Sequence, residues 1–262
     1  MSALSYTVRD SVTMLRRDFR HLQRYPVMTI SAVMVPTSML LLFVYVFGGA
    51  MGAALGASNG GTSYLNYVVP GIIVMAVGSG CASTAVSVNT DMTEGIIARF
   101  RTMAISRASV LTGHVLGSMI RTMAGIVLVL GVALLMGLRP TAGPVEWIAA
   151  IGVITMLVLA FTWLAVALGM TAKTPEGANG STLLLQFGPF LSSAFVRPES
   201  MPAGMRWFAE NMPFTPMIDT LRGLLLSTPI GYSAIIAVAW CVAIALTGYL
   251  WARAAYNRDP TR

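Results

Sequence analysis

Six apolar stretches divide the chain, at about 27–47, 65–88, 115–138, 145–170, 178–196 and 232–253, with polar or proline-rich segments between them. Crossing the hydrocarbon core as a helix takes roughly 20 consecutive apolar residues, and each stretch is near that length. The pattern predicts an all-α integral membrane protein of six transmembrane helices, forming one domain over 1–262. Ahead of the first stretch, Val8, Val12, Leu15, Phe19 and Leu22 recur at steps of three and four, while Arg9, Arg16, Arg17 and Arg20 fall off that stripe. This predicts an amphipathic interface helix over 6–24, its arginine face suited to a membrane surface or a partner protein. Tyr25-Pro26 ends that helix and starts the first span.

The gaps differ in charge. With the N-terminus inside, the inner segments hold Arg9, Arg16, Arg17, Arg20, Arg24, Arg99, Arg101, Arg107, Lys173, Arg253, Arg258 and Arg262, and the outer ones only Arg139, Arg197, Arg206 and Arg222. Cytoplasmic loops are the ones enriched in Lys and Arg, so both termini are expected inside a bacterial cytoplasmic membrane. Composition agrees: 56% of residues are hydrophobic and 10% charged, which excludes an ordinary soluble domain. The net charge of +7 is read as topology and headgroup contacts, because no basic soluble domain exists to bind nucleic acid. No short apolar region with a small-residue cleavage site precedes the first span, so that span is expected to be retained. Cys81 and Cys241 fall inside spans without CxxC spacing, and are expected to pack as small apolar residues.

Pro36 sits mid-way along the first span and should kink it. The second span carries Gly71, Gly78, Gly80, Ala82 and Ala85, small residues that let membrane helices approach closely. Within 90–110, a short helix over 93–101 would place Ile96, Ile97 and Phe100 on one side, a candidate dock for a cytoplasmic partner. His114 and Arg121, seven residues apart, share a helix face. His114 reads as a polar residue at a helix start and Arg121 as an anchor snorkelling to the inner interface. The segment 197–229 is unlike the rest. It holds Pro198, Pro202, Pro213, Pro216 and Pro229, with two helical pieces near 203–211 and 216–226, Trp207 and Phe208 at interfacial depth, and Asp219 and Arg222 at i,i+3. Too apolar for a free loop and too short and charged to span, it is predicted to be an outer re-entrant helical hairpin between spans five and six.

Several chemistries are missing from the chain. Lys173-Thr174 is the sole Lys-Ser/Thr pair, and Ala172 stands where a phosphate-cradling P-loop needs glycine. There is no HExxH or GxSxG, and no span has a central Asp or Glu. These gaps weigh against an intramembrane enzyme and against an ion-coupled pump.

The run Glu94-Gly95-Ile96-Ile97-Ala98-Arg99-Phe100-Arg101-Thr102-Met103-Ala104-Ile105-Ser106-Arg107 resembles the inner loop of ABC-2-type transporter permeases of the daunorubicin/doxorubicin-resistance type. There an acidic-Gly segment precedes an Arg-Phe-Arg-Ser stretch. Thr102 replaces the usual Ser and Ala104 the usual Pro, so the helix is expected to run on further than in relatives. Phe190-Leu191-Ser192-Ser193-Ala194-Phe195-Val196, followed by Pro198, Met201-Pro202, Trp207, Pro213, Thr215-Pro216 and Asp219–Arg222–Gly223, looks like the same family's span-five end and outer re-entrant helices. The likeness covers nearly the whole chain.

The resemblance implies a non-catalytic subunit. No cofactor would bind this chain; ATP and Mg belong to a separate cytoplasmic ABC ATPase in two copies, with a second permease, identical or related, completing the membrane dimer. Arg16, Arg17, Glu94, Gly95, Arg99, Phe100, Arg101 and Arg107 would carry ATPase closure into the spans. An amphipathic small molecule would be exported along a path lined by spans one, two and five, with Met34, Met39, Met75, Ser79, Thr84 and Gln186 as candidates; methionines adapt to varied ligand shapes. Packing or lipid contact is the competing reading for those methionines. Two other functions stay open at this stage: export of a cell-envelope lipid or polysaccharide by the same machinery, and an ATP-independent channel or carrier.

Overall fold

The computed structural model describes the backbone of residues 26–54, 60–93 and 107–258, and the side chains of 33–52, 63–93 and 112–256. Among the described residues the chain is all helix, turn and loop. Its elements are α1 (Pro26–Leu41), continued by a π-helical turn (Leu42–Val46), α2 (Gly48–Ala54), α3 (Gly60–Thr93), α4 (Arg107–Leu135), α5 (Pro144–Thr171), α6 (Pro175–Ser181), α7 (Leu183–Phe187), α8 (Ala203–Asn211), α9 (Phe214–Leu226) and α10 (Ser233–Arg258). Single 3-10 turns occupy Gly188–Leu191 and Pro198–Ser200. The expected interface helix over 6–24 lies outside the described residues.

Among the described residues, four helices are long and apolar enough to cross a membrane: Ser63–Thr93, Thr112–Leu135, Pro144–Thr171 and Ser233–Tyr256. They correspond to the second, third, fourth and sixth predicted stretches, with boundaries moved by several residues. The first stretch forms α1 and its π-helical extension. Pro36 lies inside α1 and is buried there, and the helix continues past it to Leu41, so the break in regular α geometry falls at Leu42–Val46 rather than at the proline.

The fifth stretch is not one helix. It runs as α6, α7 and a 3-10 turn beside α3, antiparallel to it, with Leu185 against Gly78 and Ala194 against Gly71. Composition explains the breaks. Asn179, Gly180, Ser181 and Thr182 lie at the end of α6 and Gly188-Pro189 follows α7, and glycine lowers helix stability by about 1 kcal/mol relative to alanine.

α3 is the central pillar. It packs against α1, α2, α4, α5, α6, α7 and α9, and 83% of its most apolar window is buried, so its Val, Ile and Met side chains form core rather than a lipid-facing surface. Its small residues make this possible. A Cβ at Gly78 would stand 2.8 Å from the Leu185 carbonyl carbon and closer still to its oxygen, so this crossing admits only glycine. α10 is the opposite case: it packs chiefly on α5 and buries only 17% of its window. Ile235, Val242, Leu246 and Leu250 on α10, and Val127, Leu128 and Leu135 on α4, are exposed. Exposed apolar side chains in these numbers suit hydrocarbon and would promote aggregation in water.

The helix ends are specified locally. α5 begins Gly143-Pro144, with proline at the first helical position and the Glu146 carboxylate accepting from Gly143 N–H at 2.5 Å. α9 ends at Ser227, the one described non-glycine residue with a positive φ (50°); its hydroxyl donates to Thr141 O at 3.1 Å and meets Glu146 Oε2 at 3.0 Å. These bonds tie the α4–α5 connection to the end of α9.

Candidate functional site: two polar ends of an apolar bundle

The bundle is apolar through its middle and polar at both ends. At one end, α3 and α5 start and the short helices α8 and α9 follow one another along the chain. This end holds a dense hydrogen-bond network, centred on Arg222. Its guanidinium donates to Asp219 Oδ1 at 2.6 Å, to Ser193 O at 2.8 Å and to Tyr67 O at 3.3 Å, and lies 3.9 Å from the centroid of the Tyr67 ring. The Ser193 hydroxyl donates to Asp219 Oδ1 at 2.9 Å, and Tyr67 OH donates to Ser193 O at 2.9 Å. Ser193 N–H donates to Thr215 Oγ1 at 3.3 Å, and that hydroxyl donates to Ala209 O at 2.5 Å. One arginine thus clamps three separate pieces of chain: α3, the turn at 192–195 and α9.

Sequence explains why the clamp forms there. The chain at 192–195 runs as turn, and Pro198 disfavours helix at the residue before it, so the Ser193 carbonyl is left free to accept. Asp219 and Arg222 meet because i and i+3 are neighbours on a helix. Arg222 is 15% exposed and each of its three guanidinium nitrogens donates a hydrogen bond, as suits a planar, permanently charged group. Beside it opens a cleft of about 900 Å³, lined among others by Asn66, Tyr67, Arg197, Glu199, Asp219 and Arg222. That volume would accommodate a drug-sized molecule.

The opposite end is where α3 stops and α4 starts, flanking 94–106. Asp91 Oδ2 lies 3.1 Å from His114 Nε2, both side chains largely buried. Thr84 and Ser118 are hydrogen-bonded through their hydroxyls. The Asn89 amide donates to Gly169 O at 3.0 Å and to Ala172 O at 2.7 Å, satisfying carbonyls that the end of α5 leaves free. His114 therefore sits in the second turn of α4, paired across to α3, and is more than a polar helix start.

The residues singled out from sequence fall in different places. Asp219 and Arg222 are paired as their spacing implied. Pro202 and Pro213 precede α8 and α9, and Trp207 is 67% exposed on α8. Met75, Ser79 and Thr84 are buried in α3, inside the chain's own core, whereas Met34 is 62% exposed on α1 and Met39 and Gln186 are half-buried. The structure does not gather these six onto one open surface of the single chain. Glu94, Gly95, Arg99, Phe100, Arg101, Arg16 and Arg17 lie outside the described residues; Arg107 opens α4, its side chain outside them. Sequence reading named Ser193 and Thr215 only as part of a resembling motif, without a role, and missed Tyr67 and Asn89. Tyr67, Ser193 and Thr215 are joined by contacts 22 to 155 residues apart along the chain, which no local pattern signals. Among the described residues no three His, Cys, Asp or Glu side chains group as a metal site.

The ABC-2 type transporter family pattern matches residues 10–226. The chain is 30% identical over 227 residues to the daunorubicin resistance ABC transporter permease protein DrrB1 of Streptomyces coeruleorubidus, covering 86% of this chain and 78% of that protein. It is 23% identical over 232 residues to the probable doxorubicin resistance ABC transporter permease protein DrrC of Mycobacterium tuberculosis, covering 88% of this chain and 82% of the relative. An apolar bundle with four membrane-length helices, the match over most of its length and the 30% identity together identify the chain as a multi-pass membrane protein that belongs to the ABC-2 type transporter family.

Proposed function

We propose that the chain is the transmembrane permease subunit of an ATP-driven exporter that moves amphipathic drug-like molecules out across the bacterial cytoplasmic membrane. The observation that carries this is the similarity, over more than three quarters of each chain, to a permease named for daunorubicin resistance. A lipid-suited outer surface supports it.

The finer reading is a six-span unit with both termini cytoplasmic. In it, α1 with its π-helical extension and the broken 175–196 segment serve as the first and fifth crossings, and 197–229 is a re-entrant element on the outer side. ATP and Mg bind two copies of a cytoplasmic ABC ATPase. A second permease, identical or paralogous, completes the membrane assembly. Residues 90–110, with Glu94, Gly95, Arg99, Phe100, Arg101 and Arg107, and the N-terminal Arg16 and Arg17, receive the ATPase motion. The permeases then rock between inward-facing and outward-facing states, an equilibrium that nucleotide shifts by binding the two states differently. Met34, Met39 and Gln186, being accessible on the single chain, are the better members of the candidate path.

The test is purification of the tagged chain at native expression, followed by an ATPase assay and ATP-driven daunorubicin uptake into inverted vesicles. A stoichiometric ATPase with vanadate-sensitive turnover and daunorubicin uptake is the expected result. A lone protein without ATP-dependent uptake overturns the reading in favour of an ATP-independent channel or carrier. Within the working complex, Glu94→Lys or Arg99→Glu should stop uptake while leaving the permease folded in the membrane; normal uptake by both removes 90–110 from the coupling role.

A further inference from the structure

The two helices that flank 94–106 are joined along a polar seam. α3 and α4 run antiparallel there, and three steps along them come into register. A Cβ at Gly80 would stand 2.8 Å from Thr122 Cγ2, so backbone and side chain meet without a gap. Next, Thr84 and Ser118 share a hydrogen bond. Last, at the mouth of the segment, Asp91 meets His114 at 3.1 Å, with side-chain exposures of 13% and 12%. On α4 the partners 122, 118 and 114 fall at four-residue intervals, a single face. Asn89, two residues before Asp91 and so on another side of α3, binds the free carbonyls of α5.

A buried acid–imidazole pair is a costly way to hold two helices together. Apolar residues of similar volume often stabilise as well or better, because polar and charged groups must first be desolvated. What a hydrogen-bonded pair adds is direction: it fixes one register and one rotation between the helices, where apolar side chains tolerate sliding. This pair stands where force applied through 94–106 would enter both helices.

We propose that Asp91–His114 is a positioning contact for export: it binds the two stems of the 94–106 segment into one body, so that motion delivered through that segment displaces α3 and α4 together. Neither residue touches substrate or nucleotide. The proposal rests on the permease reading above, and its test has one arm that does not.

Spin labels on Thr93→Cys and Leu116→Cys report the separation of the stems, with Cys81 and Cys241 buried and unreactive. In the otherwise unaltered permease the separation should be single and narrow. Asp91→Ala and His114→Ala should each broaden it, and the exchanged pair, Asp91→His with His114→Asp, should narrow it again. In the complex with its ATPase, both single variants should keep ATP hydrolysis and lose about tenfold in daunorubicin moved per ATP, a coupling loss typical of disrupted two-state linkage. The exchanged pair should recover most of it. Unchanged stem separation in both single variants overturns the proposal, whatever the substrate is. So does an exchanged pair as broad or as uncoupled as the singles, or a fall in hydrolysis and transport in equal proportion, which marks a merely structural contact. Absence of ATP-driven uptake in the unaltered complex, with the distance results as expected, counts against the drug-export reading and leaves the stem contact standing.

Discussion

Arg222→Ala removes the group that joins α3, the 192–195 turn and α9. Three hydrogen bonds go with it, at 2.6, 2.8 and 3.3 Å, one of them to a carboxylate, together with the stacking on Tyr67. All three are donated by a charged guanidinium, and a hydrogen bond involving a charged group contributes about 1.5–3 kcal/mol. Part of the loss is recovered by remaining partners. Asp219 keeps the Ser193 hydroxyl and is 36% exposed, so water screens it, and the Ser193 carbonyl keeps Tyr67 OH. The expected loss is therefore about 2–3 kcal/mol, below the 3–5 kcal/mol of breaking a fully buried pair. For a chain of this length that corresponds to a fall of about 5–10 °C in the thermal midpoint of the detergent-solubilised protein. Arg206→Ala is the internal control. Arg206 also pairs nearby, within α8, with Glu210 at 2.8 Å, but the two side chains are 48% and 47% exposed, and such pairs contribute little. Its midpoint should not move. Equal shifts for the two variants, or none for Arg222→Ala, would refute the argument that the clamp depends on burial and on bridging three elements.

Gly78→Val should prevent the fifth stretch from docking on α3, because its Cβ would overlap the Leu185 backbone; a sharp drop in folded yield, measured by size-exclusion profile, is expected, whereas Gly131→Ala, with open space at its Cβ, should fold normally. Asn89→Leu strips the caps from Gly169 and Ala172 and should cost about 1–3 kcal/mol, read as a lowered thermal midpoint and faster proteolysis near Lys173.

Much of this protein is legible in the order of its residues. Membrane-length apolar runs must become helices, since lipid satisfies no backbone hydrogen bond. The α3, α4, α5 and α10 segments follow from that alone, and the second proline-bracketed piece is found at Phe214–Leu226, within two residues of expectation. The Asp219–Arg222 pair also follows, because helical spacing is a local property. Three things came only with tertiary structure. Six similar hydropathy peaks hide the fact that α3 is core while α10 faces outward, because in lipid both environments are apolar and burial leaves little trace in composition. The fifth stretch has span length, yet its glycines and Pro189 break it once α3 supplies a surface to lie on. And the clamp on Arg222 and the Asp91–His114 contact join residues far apart in sequence, chosen by which helices pack, a choice that no local periodicity encodes.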